Sequence, residues 1–159
     1  MAWLNPSPLT LYHGTIDLCV ASLNSGVSVT TGRVSTDFSL GFYTTTNFAQ
    51  ARAHARNMAY RMRPLGARRG AVMSYIVDRN ALAGLNSLTF VEPNSDFWEL
   101  VDWCRAGNRS HHAAGYYDVV YGPVAQDVRL RTVHIGYDQV SFHSSACAGL
   151  LANVSGSFV

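Results

Sequence analysis

Alanine recurs at positions 51, 55 and 59, with methionine at 58 and 62, so the spacing predicts one long helix over residues 47–62 whose apolar face is built of small side chains. Such a face lets a helix lie close against a sheet. Thr46 or Asn47 is placed to cap its start, and Pro64 and Gly66 stand beyond its end. The rest of the chain must therefore supply a sheet with room for a closely applied helix. At 159 residues, 48% of them hydrophobic and 14% charged, it is long and apolar enough for one domain, residues 1–159, with a core of its own.

Strands are expected at 9–13, after the turn signal Asn5-Pro6-Ser7-Pro8, and at 41–45, 71–77 and 88–91. Three more are expected at 117–121, 128–133 and 139–143. A short helix over 16–24 ends at Gly26 and places Ile16, Cys19, Val20 and Leu23 on one face. A second, over 96–106, is capped by Asn94 or Ser95 and buries Phe97, Leu100, Val101 and Cys104. A closing helix is expected over 145–153. Residues 27–36 read as loop or irregular strand, and 107–115 as an exposed loop. Helices early and strands crowded late predict an α+β fold, with helices on antiparallel sheet.

Composition excludes some functions. No apolar run approaches the roughly 20 residues of a membrane span, and the N-terminus lacks the basic and apolar stretches of a secretory signal. A cytoplasmic chain, or one delivered into a target cell by a signal-independent route, is expected. Cys19, Cys104 and Cys147 have no metal-ligand spacing and read as buried free thiols. His111-His112 has no spaced partner to complete a site, so no metal is expected. Every basic residue is arginine, which fits either a GC-rich genome or selection against the lysine that ubiquitin needs. The net charge of +2 predicts no nucleic-acid partner by itself. Arginines at 52, 56, 61, 63, 68 and 69 are the basic concentration, read as a solvated helix face or as a contact for phosphate.

Two glycine-anchored motifs carry candidate chemistry: Leu11-Tyr12-His13-Gly14-Thr15, and Asp37-Phe38-Ser39-Leu40-Gly41-Phe42-Tyr43. Strand alternation sends Phe42 and Tyr43 to opposite faces, so a core Phe42 leaves Tyr43 at a cleft. Together they resemble the first two motifs of the H-Y-E class of ADP-ribosyltransferases, the class of diphtheria toxin and the poly(ADP-ribose) polymerases. The resemblance spans about residues 9–151. It implies split antiparallel sheets with flanking helices, and NAD as co-substrate. In that class His13 would bond a ribose hydroxyl, the Gly14 backbone would hold the nicotinamide carboxamide, Thr15 would belong to the same cofactor-binding set, and Tyr43 would stack on the nicotinamide ring. His54 falls where the polymerases carry a second tyrosine on the other side of that ring. Arg33 precedes the tyrosine motif, where relatives fold a segment over the dinucleotide, and would pair with pyrophosphate. The stretch 117–125 also resembles a strand and turn of small bacterial members, where Ser39 is glycine.

The third motif departs from the class. Its glutamate should lie on a late strand, but Glu92 and Glu99 come too early. On the strand around 137–143, Val140 and Phe142 claim the core face, leaving Gln139, Ser141 and His143 opposite and Asp138 on the wrong face. Gln139 is therefore expected to hold the ribose. Its amide accepts a hydrogen bond but supplies neither negative charge nor a base. The expected activity is a single transfer of ADP-ribose to a macromolecular acceptor, protein or nucleic acid, with NAD hydrolysis or NAD/ADP-ribose binding without chemistry as alternatives, and retention of the fold alone as a further one. The resemblance implies a toxin, effector or toxin–antitoxin component with an antitoxin or immunity partner, and no membrane.

Overall fold

The computed structural model describes residues 8–111 and 115–159. Two sheets form an α+β fold. The first has the order β1 (Leu9–Ile16), β3 (Gly70–Val77), β7 (Ala152–Phe158), antiparallel throughout. The second runs β2 (Phe42–Thr44), β6 (Thr132–Phe142), β5 (Val119–Asp127), β4 (Ser87–Thr89). Its β4–β5 pair is parallel, so the expectation of wholly antiparallel sheets is corrected at that edge. The expected turn at 5–8 lies outside the described residues except for Pro8, as does His112.

Each strand's burial follows from its pattern. The central β3 is apolar at nearly every position and is buried on both faces. In β6, Val140 and Phe142 enter a core with Leu11, Phe42, Met73 and Tyr75. A second core gathers Phe38, Phe90, Phe97, Val101 and Val120 beneath α4 (Ser95–Arg105), whose start is capped by the Asn94 side chain bonding the Phe97 N–H at 3.0 Å. Helix α1 (Asp17–Ser25) contributes Val20 and Leu23 to the first core, while Cys19 is half-buried rather than buried like Cys104 and Cys147.

Three expectations fail late in the chain. The segment expected as a strand over 128–133 is mostly the turn of the β5–β6 hairpin. There the Asp127 carboxylate accepts from the Arg129 and Leu130 N–H groups at 2.9 and 3.1 Å, and Arg131 takes a φ of 53°. Side-chain capture of backbone donors overrides the alternating apolar pattern. The closing helix is only α5 (Ser145–Ala148), and the chain then turns into β7 at the edge of the first sheet. The loop over 107–115 is not uniformly exposed, since His111 is buried with Nε2 on Phe38 O at 2.9 Å. A short helix α3 (Arg79–Ala83), capped by Asp78, was not expected.

Helix α2 (Phe48–Arg61), capped by Asn47, buries Ala51, Ala55 and Ala59 as its spacing requires. Glycine lets β1 and β3 approach it. A Cβ at Gly14 would lie 2.1 Å from the Ala51 carbonyl oxygen, and one at Gly70 would lie 3.0 Å from the Ala55 carbonyl carbon. Gly14→Ala is therefore expected to lower stability by about 3 kcal/mol through forced separation of β1 and α2, read as a lower urea midpoint. An unchanged midpoint contradicts this packing.

Candidate active site

The two sheets meet where Tyr12 and Thr45 exchange backbone hydrogen bonds of 2.8 and 2.9 Å. A cleft of about 660 Å³ opens along this seam, lined from β1, β2, α2, β6 and the loop before β2. That volume lies within the usual range for small-molecule sites. His13, Gly14, Tyr43, His54 and Gln139 all line it; Thr15 and Arg33 do not. Thr15 is buried beside β3, opposite Ala71, and Arg33 is exposed on the loop. Neither side chain reaches the cleft: Thr15 shares a strand face with His13 but lies two residues farther along β1, and Arg33 precedes Ser35, Thr36 and Asp37, the loop residues that do line it.

His13 reaches across the seam, its Nδ1 lying 2.6 Å from the Tyr43 carbonyl oxygen. A carbonyl only accepts, so Nδ1 carries the proton and Nε2 keeps a lone pair. Burial lowers the imidazole pKa to about 4, against the opposing pull of the Tyr43 carbonyl. The ring packs on Phe42 at 4.4 Å. Near neutral pH it is a hydrogen-bond acceptor of fixed tautomer.

Tyr43 alternates with Phe42 as expected, Phe42 in the core and Tyr43 at the cleft. Its hydroxyl is pinned in the preceding loop. It accepts from the Phe38 N–H at 3.0 Å, donates to the Ser39 carbonyl at 2.7 Å and lies 2.7 Å from Thr36 Oγ1. Burial raises its pKa, so the phenol is no acid or base here, and the ring is what it offers. Ser39 holds a left-handed φ of 65°, a conformation glycine adopts freely, and its Oγ donates to Asn108 O at 2.6 Å.

Gln139 is held in a network that contains two residues sequence reasoning missed, Asp37 and Arg105. Its Nε2 donates to Asp37 Oδ2 at 2.8 Å and to Pro123 O at 2.9 Å, both pure acceptors, which fixes the amide orientation. Its Oε1 has no hydrogen-bond partner among the described residues. Asp37, buried, also accepts from the Ala125 N–H at 2.8 Å and pairs with Arg105 at 2.6 Å. Asp37 stood in the tyrosine motif, where it reads as part of a signature rather than as a contact. Arg105 carried no local signal, being brought in from α4.

His54 lies on the α2 turn facing the cleft, its pKa lowered by burial and by the nearby Arg61 charge. Arg61, on the same helical stripe, also lines the cleft and brings a guanidinium that Arg33 does not. Gly14 lines it by its backbone, while its missing side chain faces α2. Asp138 is off the cleft, as expected, and its carboxylate is taken up by the Thr45 hydroxyl and by the backbone N–H and hydroxyl of Thr46. Among the described residues no group of three His, Cys, Asp or Glu side chains comes together to hold a metal.

A family model described as a protein of unknown function, DUF3990, matches residues 9–154. The chain belongs to this family. No curated protein and no solved structure matches it. The matched span runs from the first residue of β1 into β7, and so includes every cleft residue of this DUF3990 domain named above.

Two outcomes follow from this geometry. Gln139→Glu sets a second carboxylate against Asp37 and the Pro123 carbonyl, so it is expected to cost on the order of 3 kcal/mol. It should be worse than Gln139→Ala, with the gap in urea midpoints narrowing as pH falls and the introduced carboxyl takes up a proton; Gln139→Glu matching the natural chain contradicts the network. The second outcome is pH dependence. His13 and His143, the latter bonded to Leu40 O and Ser141 Oγ, both have pKa values lowered by burial from 6.5 to about 4. The unfolded chain binds these protons first. Their contribution to stability is thus present above 6.5 and is lost as pH falls toward about 4. His143→Gln should flatten the decline in urea midpoint over that window, and an equally steep profile contradicts this assignment.

Proposed function

We propose that this protein is an NAD-dependent mono-ADP-ribosyltransferase acting on a macromolecular target. The observation that carries the reading is convergence: the His13 imidazole, the Tyr43 ring and the Gln139 amide, drawn from three strands and two sheets, line one cleft. These are the positions at which the chain resembles, or departs from, the H-Y-E pattern. Nicotinamide stacks on Tyr43 with His54 opposite. Stacking strengthens as the ring is a pyridinium. His13 Nε2 and Gln139 Oε1 accept from ribose hydroxyls, and Arg61 takes the pyrophosphate role expected of Arg33. As the bond between ribose C1′ and the nicotinamide nitrogen breaks, its electron pair leaves with nicotinamide. A lone pair of the acceptor forms the new bond to C1′, and the acceptor proton goes to solvent.

The site contains one negative charge, on Asp37, and Arg105 offsets it. An oxocarbenium-like ribose therefore lacks the carboxylate of the class, at a cost of about 2–4 kcal/mol in barrier. A slow, single transfer fits this better than polymer growth. The same neutralised charge favours a second reading, NAD or ADP-ribose recognition without turnover. A toxin or effector role, held in check by an antitoxin or immunity protein, is the setting that accords with the resemblance.

Incubation with labelled NAD and cell lysate tests the proposal. Label is expected on at least one macromolecule, falling by about tenfold or more with Tyr43→Ala and with Gln139→Ala. Equal labelling by all three chains removes the site assignment. Nicotinamide release without macromolecular label points to a glycohydrolase, and NAD binding without either points to the recognition reading.

A further inference from the structure

Six of the 12 arginines fall between 52 and 69, and no acidic residue occurs between Asp37 and Asp78. Among the described residues none of the six forms an ion pair. Asp17, whose backbone N–H donates to Arg69 O at 2.9 Å, makes none with them either. Arg52 and Arg56 stand one turn apart on the exposed side of α2, like charges at a spacing that destabilises a helix. The fold adds to this face from elsewhere. Gly70 packs so closely on α2 that its Cβ would lie 3.2 Å from Arg56 N, which brings Arg69 beside the Arg56 turn. Phe158, paired with Ala71 on β7, lies under the Arg69 guanidinium at 4.4 Å and remains 51% exposed. Tyr60, one turn beyond Arg56, is 67% exposed and carries the Arg63 guanidinium 5.0 Å over its ring.

A face of unpaired guanidiniums alternating with exposed rings has a specific complement. Guanidinium binds phosphate with two parallel hydrogen bonds, and an aromatic ring offers a face on which a base stacks regardless of sequence. An acidic peptide has the charge but no bases to stack. NAD does not account for this face, because Arg52, Arg56, Arg63 and Arg69 lie outside the cleft lining, whereas Arg61, on the same helix, lies inside it. We infer that this arginine–aromatic face binds a single strand of nucleic acid, DNA or RNA, and leads it past Arg61 to the cleft. That the strand is also the acceptor of ADP-ribose rests on the transferase reading; that it binds does not.

The test is fluorescence anisotropy with the full chain and labelled single-stranded DNA and RNA oligonucleotides, without NAD. Affinity should fall with salt on a log–log slope of about −2, as expected if three phosphates are neutralised at about 0.7 each. Arg52→Glu with Arg56→Glu should weaken binding by at least about tenfold and flatten that slope. Tyr60→Ala should weaken it by about tenfold while leaving the slope unchanged. These side chains are exposed, and circular dichroism checks that each variant folds; if the arginine variant does not, the natural chain's slope and Tyr60→Ala decide. The stronger of the two oligonucleotide arms names the source of the strand. Absence of binding at low salt, binding that neither variant weakens, or competition by polyglutamate equal to that of the oligonucleotide with Tyr60→Ala silent, overturns the inference. Nicotinamide release from NAD, measured without oligonucleotide, reports on the transferase reading separately, so the two can fail independently.

Discussion

The seam between β1 and β2 is the constraint on which the site depends. Two backbone hydrogen bonds between Tyr12 and Thr45 join sheets whose strands are otherwise separate and which share the core of Leu11, Phe42, Met73, Tyr75, Val140 and Phe142. One residue along, the His13 side chain bonds the Tyr43 backbone and so spans the same gap. That contact does three things at once. It ties the sheets where few backbone bonds do, sets which imidazole nitrogen bears the proton, and places that ring beside the chain that carries Tyr43. The neutral state of His13 follows from the burial that the seam imposes, so the architecture and the protonation state share one cause.

The loop before β2 is held by contacts from distant parts of the chain. His111 bonds Phe38 O, His143 bonds Leu40 O, Asn108 O accepts from Ser39, and Arg105 pairs with Asp37. The Tyr43 hydroxyl then binds back into the loop it follows. Because Asp37 also accepts from Gln139, the loop, β5 and β6 are fixed relative to one another through one carboxylate. A buried charge of this kind is costly unless every lone pair is used, and here both oxygens are bonded. Its role is to orient the Gln139 amide, with Arg105 as the counter-ion that makes the buried charge tolerable.

Local signals in the sequence located elements whose reasons are local. The α2 alanine stripe, the Asn47 and Asn94 caps and the Phe42/Tyr43 alternation all reappear in the structure. The shared cleft was legible to the same degree, since His13, Tyr43, His54 and Gln139 each follow from periodicity or from motif position. Failures occurred where tertiary contacts, or side-chain capture of the backbone, decide. β7 is polar and glycine-containing, and is a strand because β3 offers an unpaired edge, with Gly156 fitted against Met73. The 128–133 stretch alternates like a strand, yet the Asp127 side chain turns it into a hairpin loop. Arg105 is 68 residues from Asp37 in sequence, so no motif or spacing could pair them.

The long helix α2 couples the cleft to the face beside it. Its buried stripe at 51, 55 and 59 is alanine because two glycines, at 14 and 70, let β1 and β3 press against it. That closeness turns the stripe at 50, 54, 57 and 61 toward the cleft. The remaining side, at 52, 56 and 60, is left to solvent and carries two arginines and an aromatic ring. A helix held farther from the sheet by larger residues would withdraw His54 and Arg61 from the cleft wall and separate Arg56 from Arg69. The small-residue packing that makes the fold compact thus also sets the distance between the cleft and the basic face beside it.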